Sequence, residues 1–410
     1  MNRDATQPCV VILVPGFSVG GGVPQVAKYL VSVFRDQNWD CRVIELATSR
    51  RDVHSQRIMN PKTWLRGPQL TVPGPDGEGY AGSHFVEIEQ MRYLQTAKLR
   101  RALDQFDLVI VVAGTPAWAL AARGIKSPVI LQVATTTSWE RRSRDKQVFW
   151  WQRPYRTLMT QIAGILDRKG ARVADLTLVE NVDMEQWATS QKRNSAVVQL
   201  IPPAIDTSVF QPSSSGWDSA GPLVSVGRLA ETRKGWVRLL TAYAKLVAHD
   251  STAPQLVIAG RGQLSKESLH VIESNYLHSR VHVYENPTQA ELVALLASGS
   301  AFVTTPFEEG LGIAALEAMA CGLPVIATET AGSRQYVQDG VTGFSLSQND
   351  ETMFDQFSNA VSAVRVDNGQ MSDAAVHLVR DSFSREALDS QFVRLAVQTL
   401  KSNGQAKLDN

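Results

Sequence analysis

Two glutamates eight positions apart, Glu309 and Glu317, lie in the run PFEEGLGIAALEAMACGLPVIA, residues 306–327. An ionised carboxylate has only acceptor sites, and adjacent sugar hydroxyls present two donors, so such groups suit sugar rings better than phosphates. Glu317 is the more demanding of the two. On a helix its neighbours three and four positions away are Ile313, Ala314, Ala320 and Cys321, none of them an ionic partner. A buried carboxylate left alone costs several kcal/mol or takes up a proton, so another segment or a ligand must satisfy it.

A second set of groups is cationic. SVGRLAETRKGW, residues 225–236, ends an apolar run at Gly227 and continues with Arg228, Arg233 and Lys234. Arginine offers a fork of donors and lysine a point charge, a combination suited to a diphosphate; a solvated basic turn is the alternative reading. Near the start, VPGFSVGGGVPQVAKYL places Gly20, Gly21 and Gly22 between an apolar run and a helical segment. Glycines there let the backbone approach a ligand, and a helix N-terminus favours negative charge. No Gly-Lys-Ser/Thr follows, which excludes a P-loop.

The same glutamate run supports a rival. Gly310, Gly312 and Ala315 fit the dinucleotide fingerprint G-x-G-x-x-A, with Glu329 nineteen residues beyond Gly310. An NAD(P)-dependent oxidoreductase using the Gly310 loop is therefore open, although Glu308 and Glu309 would set two like charges against a pyrophosphate.

These loops need strands and helices to hold them. Apolar runs at 10–14, 40–46, 106–114, 127–134, 174–180 and 196–202 alternate with helical-period segments, the pattern of a parallel α/β sheet. Residues 202–222 are rich in Pro, Ser and Gly and read as an interdomain connection, after which runs at 222–227, 253–260, 280–285, 300–306 and 323–328 restart the pattern. The expected fold class is α/β, with two doubly wound Rossmann-like domains facing a central cleft. Residues 52–82, Gly- and Pro-rich and barely periodic, read as a long loop, either an acceptor site or a surface insertion. Residues 384–402 read as one amphipathic helix.

Composition narrows the class. With 410 residues, 44% hydrophobic and 20% charged, the chain is globular and long enough for two or three domains. A net charge of +1 argues against a protein that coats nucleic acid. Cys9, Cys41 and Cys321 are too scattered for a disulfide framework or zinc motif, and the histidines do not cluster with carboxylates, so no metal site is expected. His84 and His282 read as structural. The first residues lack a secretory pattern and no apolar run approaches the ~20 residues that span a bilayer, so a cytoplasmic location is expected. One basic and aromatic stretch, WERRSRDKQVFWWQRPYR at 139–156, could meet an anionic membrane surface through the Arg141 to Arg156 region, stack on single-stranded nucleic acid, or simply bury its aromatics.

With Glu309 and Glu317 as E-x7-E, residues 307–327 resemble the signature of retaining family 4 glycosyltransferases of the GT-B fold, the glycosyltransferases group 1. GRLAETRKG resembles that family's phosphate segment, IPPAIDTSVFQP its interdomain signature, and GGGVPQVAKYL its first glycine-rich loop. The resemblance implies an acceptor-binding Rossmann-like domain at 1–205, a nucleotide-sugar domain at 206–383, and a C-terminal helix, 384–410, packing back on the first domain. It implies transfer of a sugar, with retention and without metal or cofactor, from a nucleotide-sugar donor, expected to be UDP-linked, to a glycan or lipid-linked acceptor. Glu317 would hold the ribose hydroxyls, and Arg228 and Lys234, with Arg233 as a candidate second ligand, the diphosphate. Glu309 and the amides of Gly310, Leu311 and Gly312 would hold the transferred sugar, Tyr284 would lie near the base, and Gly21 and Gly22 would face the diphosphate. Glu309, Arg228 and Lys234 would carry the catalysis. Nucleic acid is not an expected partner. Two departures stand out: Ala134, Thr135 and Thr136 occupy the place of a family histidine, and one extra residue separates Arg228 from Lys234. The missing histidine keeps open a non-catalytic GT-B subunit that binds a glycan.

Overall fold

The strand β1 (Cys9–Pro15) is apolar along its length and buried at every position but the last. Such a run needs no polar alternation because helices cover both faces of a parallel sheet. The computed structural model describes residues 7–19, 21–146, 153–191 and 196–406. They fold as two units, Met1–Pro203 with Asp389–Asn410, and Ala204–Leu388.

In the first unit the strands are β1, β2 (Asp40–Leu46), β3 (Leu70–Thr71), β4 (Glu78–Ala81), β5 (Leu108–Ala113), β6 (Val129–Val133), β7 (Leu176–Val179) and β8 (Val197–Leu200). Among the described residues they form one sheet in the order β3-β4-β2-β1-β5-β6-β7-β8. All neighbours are parallel except β3 and β4. Ile12 lies opposite Val43 on one side and Ile110 on the other, so the chain order reverses between β1 and β5. The glycine turn after β1 emerges at that reversal. It leads into the helix Gly22–Asp36, whose N-cap Gly21 has φ 114° and open space where a side chain would stand.

Residues 52–82, read above as a loop, contain β3, β4 and the short helix Lys62–Arg66. The segment adds two strands at the sheet edge. A Cβ at Gly79 would lie 2.2 Å from the Thr71 carbonyl oxygen, and one at Gly82 would lie 2.3 Å from that of His54, so glycine is what lets these backbones touch.

The final helix, Arg385–Ala406, buries Leu388, Phe392 and Ala396, an i, i+4, i+8 stripe. Tyr29, on the helix Gly22–Asp36, donates a 2.7 Å hydrogen bond to Asp389 and meets the Phe392 ring edge-on at 5.6 Å.

The second unit holds β9 (Leu223–Val226), β10 (Leu256–Gly260), β11 (Val281–Glu285), β12 (Ala301–Thr304), β13 (Val325–Thr328) and β14 (Gly343–Leu346). They are all parallel, in the order β11-β10-β9-β12-β13-β14. The strand β14 has no apolar run to announce it: its middle two residues, Phe344 and Ser345, are only half-buried. Two layers of helices and this sheet enclose Tyr243, Phe302 and Phe357, each buried.

Candidate functional site

Within the second unit β9 and β12 are neighbours, and the chain builds outward from them in opposite directions, β9 to β11 and β12 to β14. In an open α/β sheet ligands bind beyond the carboxyl ends of the strands at such a reversal. Two loops leave the sheet there, residues 227–235 after β9 and 305–312 after β12. The first carries the cations and the second the carboxylate.

The loops are bonded to each other. The buried Thr305 hydroxyl donates to the Gly235 carbonyl at 3.0 Å, and the Phe307 amide donates to the Arg233 carbonyl at 2.9 Å. Gly235, with φ 71°, caps the helix Trp236–His249. A Cβ there would come within 2.0 Å of the Thr305 carbonyl oxygen, so only glycine allows this approach.

The charges interlock in turn. Lys234 Nζ donates to the Glu309 carboxylate, and an Arg233 guanidinium nitrogen lies 3.8 Å from it. Arg233 Nε is 2.9 Å from Glu231, and Arg228 is 2.6 Å from the same carboxylate. Glu309 is 17% exposed. Burial alone would raise its pKa, but Lys234, Arg233 and Arg228 together outweigh it and hold the carboxyl below the usual range, so it is charged at neutral pH. Glu231 was not singled out from the sequence. Its only signal is an acid three residues after Arg228 inside an otherwise basic turn.

Gly310, Leu311 and Gly312 lead from Glu309 into the helix Ile313–Ala320. Gly312 has φ 90°, and a Cβ on it would lie 2.4 Å from the Tyr336 hydroxyl and 3.4 Å from Glu309 Cγ. The Tyr336 hydroxyl is buried beside the Glu309 charge, and both burial and that charge push its pKa up. Glu317 is buried four residues into the helix, about 6 Å along its axis from Ile313. Burial and, second, the Glu317 charge push the Cys321 thiol up to about 12. Tyr284 is exposed on β11, two strands from β9 and thus about 10 Å across the sheet.

The remaining candidates fall in the first unit. Gly21 and Gly22 form the turn described above, and Gly20 lies outside the described residues. At the place of the family histidine, the Thr135 amide donates to the Gly114 carbonyl at 3.0 Å and the Ala134 carbonyl accepts from Asn181 at 3.1 Å. The buried Thr136 hydroxyl accepts from the Trp139 amide at 3.3 Å, so it caps the helix Thr137–Lys146. A second buried acid escaped the sequence reading: Asp167 accepts from the Thr137 amide (2.8 Å), the Thr137 hydroxyl (3.2 Å) and the Ala117 amide (3.1 Å). Burial pushes its pKa up to about 6 despite those donors.

In the basic and aromatic stretch, Arg141 donates to Glu89, is 12% exposed, and so is turned inward. Trp139 packs on the core of the first unit. Residues 147–152 of the stretch lie outside the described residues. No helix among the described residues is long and apolar enough to cross a membrane, and no group of three or more His, Cys, Asp or Glu among them could hold a metal ion. His84 Nδ1 bonds the Gln56 side chain at 2.5 Å.

The geometry bears on the dinucleotide fingerprint. Where a pyrophosphate would cross the Gly310 to Gly312 turn, the ionised Glu309 already lies against it. Glu329, the acid such a site needs for a ribose, is 3.3 Å from Arg334.

Residues 215–364 match the family described as Glycosyl transferases group 1. A curated relative, D-inositol 3-phosphate glycosyltransferase of Streptosporangium roseum, is 30% identical over 36% of this chain and 37% of its own length. The chain thus spans well under half of that relative. Among solved structures, sucrose-phosphate synthase from Thermosynechococcus elongatus superposes with a TM-score of 0.70 at 16% identity, covering 97% of this chain and all (100%) of the other. Anabaena HepE in complex with UDP and glucose superposes with a TM-score of 0.65 at 17% identity, covering 95% and 99%. The chain has the GT-B fold, and within its second unit residues 215–364 are similar to the glycosyl transferases group 1 family.

Proposed function

We propose that this protein is a retaining glycosyltransferase that moves a sugar from a UDP-linked donor to a glycan or lipid-linked acceptor, without a metal ion, in the cytoplasm. One observation carries the reading: the cationic loop 227–235 and the carboxylate loop 305–312 are bonded together at the strand reversal of the second unit. A donor built of a sugar, a diphosphate and a ribose needs that alternation of acceptors and cations. The solved complex of Anabaena HepE with UDP and glucose supports it.

In this reading Glu317 accepts from the ribose hydroxyls, while Arg228 and Lys234, with Arg233 behind them, hold the diphosphate. Glu309 and the amides of Gly310, Leu311 and Gly312 hold the transferred sugar. Tyr284 lies toward the base. The bond from the anomeric carbon to the diphosphate breaks, the bond to the acceptor oxygen forms on the same face, and the acceptor proton passes to the leaving diphosphate. Lys234 and Arg228 stabilise the charge growing on that leaving group by preorganised electrostatics. Glu309, held ionised, remains an acceptor for sugar hydroxyls throughout.

The test is a panel of nucleotide sugars screened by thermal shift and then by turnover. A donor at one hundred times its dissociation constant stabilises the native state by about 2.7 kcal/mol. Uridine diphosphate sugars should raise the melting temperature, and a flat response across the panel refutes the reading. The non-catalytic alternative draws on Thr136, whose hydroxyl is taken up as a helix cap; donor binding without any turnover would select it.

A further inference from the structure

The sequence from Arg50 to Arg66 carries five cations, Arg50, Arg51, Arg57, Lys62 and Arg66, against one acid, Asp52, in a chain whose total charge is nearly balanced. The fold separates these charges. Asp52 faces inward and accepts from the Tyr80 hydroxyl at 2.7 Å, while Arg50, Arg51, Lys62 and Arg66 are exposed. Between them stand apolar side chains in water: Leu65 is 98% exposed, Met59 83% and Trp64 49%.

These side chains are not on a loose tail. The Arg57 amide donates to the Thr63 hydroxyl at 2.9 Å, which itself donates to the Asn60 carbonyl at 2.7 Å. The Gln56 amide group donates to the Trp64 carbonyl at 3.0 Å, and the Ile58 amide donates to Glu87 at 3.0 Å. Ser55 and Thr63 are buried beneath. The Trp64 indole N–H is satisfied by the Arg57 carbonyl at 2.8 Å, so the ring can enter an apolar boundary without stranding a donor.

We infer that this bonded loop, residues 50–66, docks the first unit on an anionic lipid bilayer, with Met59, Trp64 and Leu65 entering the acyl boundary and Arg50, Arg51, Lys62 and Arg66 meeting the headgroups. Apolar tips ringed by basic side chains match both layers of such a surface at once. A second copy of the chain would bring like charges together. The inference does not depend on the sugar-transfer reading, and it differs from docking through residues 141–156, whose Arg141 is turned inward.

The experiment is co-sedimentation of the full chain with phosphatidylcholine vesicles, with and without phosphatidylglycerol, and without donor. The protein should pellet only with anionic vesicles and be released by high salt. Arg51→Gln and Lys62→Gln should each lower the partition coefficient about fivefold, which is the ~1 kcal/mol that a basic side chain gains near an anionic surface. Met59→Ser with Leu65→Ser should abolish pelleting while leaving the melting temperature unchanged, because neither side chain packs in the fold. Failure of the wild type to pellet overturns the proposal, as does undiminished pelleting of the variants. Loss of a concentration-dependent dimer in the Ser variant, with vesicle binding intact, would assign the loop to self-association instead.

Discussion

Lys234 and Arg233 are adjacent, both cationic and both close to Glu309, yet the structure predicts unequal consequences for their loss. Arg233 is tied down: its Nε is held by Glu231 at 2.9 Å and another nitrogen donates to the Glu308 carbonyl at 3.4 Å. Among the described residues the Lys234 side chain donates to Glu309 alone, and its flexible stem can turn the ammonium toward a phosphate. A phosphate oxygen about 4 Å from Nζ gains ~4 kcal/mol at an effective dielectric of 20. If half of that charge develops only in the transition state, turnover carries ~2 kcal/mol of it and binding the rest. Lys234→Ala should therefore lower kcat/KM by about 10²–10³, with kcat alone down about thirtyfold. Arg233→Ala should cost less than about tenfold, and Lys234→Arg should recover part of the loss by restoring charge. The assay is steady-state transfer from the donor that the thermal-shift panel selects, with each variant's melting temperature as a control for folding. Equal losses in the two alanine variants, or a greater one in Arg233→Ala, would refute the assignment.

Glu317→Ala should weaken UDP binding by about 1.5–3 kcal/mol, read by calorimetry, whereas Glu309→Ala should lower kcat with little change in UDP affinity; the opposite pattern exchanges the two roles. Because the folded pKa of Glu309 is depressed, its ion pairs stabilise the protein above the unfolded carboxylate value of about 4.3 and that contribution is lost as pH falls through the lower folded value. Urea midpoints of Glu309→Gln should consequently fall less steeply with acidification than those of the wild type, and parallel curves would contradict the pairing. Gly312→Ala places a methyl 2.4 Å from the Tyr336 hydroxyl at a φ of 90°, so it should destabilise the second unit by about 2–5 kcal/mol. Tyr336→Phe removes that oxygen and leaves the next ring atom at 3.4 Å, so the double variant should regain more than half of the loss in thermal denaturation. Additive losses would show that the hydroxyl is not the obstacle.

The elements that the sequence misread share a physical cause. The strands β3 and β4 comprise Leu70–Thr71 and Glu78–Ala81, too short and too polar for periodicity to register, and they exist because Gly79 and Gly82 admit close backbone approach. The strand β14 is half-buried at its centre and pairs only at the sheet edge beside β13. At the place of the family histidine, the Thr136 hydroxyl is taken up at the start of the helix Thr137–Lys146. Arg141 read as a surface cation and is instead drawn inward by Glu89, fifty-two residues away.

By itself the sequence determined what depends on near neighbours: the buried strands, written as apolar runs, the glycines at their ends, and the types of charged group in each loop. Backbone sterics and hydrophobic periodicity act over a few residues, so those features are present in any window of the chain. Tertiary structure alone decided that β9 and β12 lie side by side, which brings Lys234 within bonding distance of Glu309 from seventy-five positions away. The same pairing decided that Glu309, set against Lys234 and Arg233, would stay ionised while largely buried. A charge's partner and pKa follow from distance in space and from the water removed around it, and neither quantity exists until the sheet has formed.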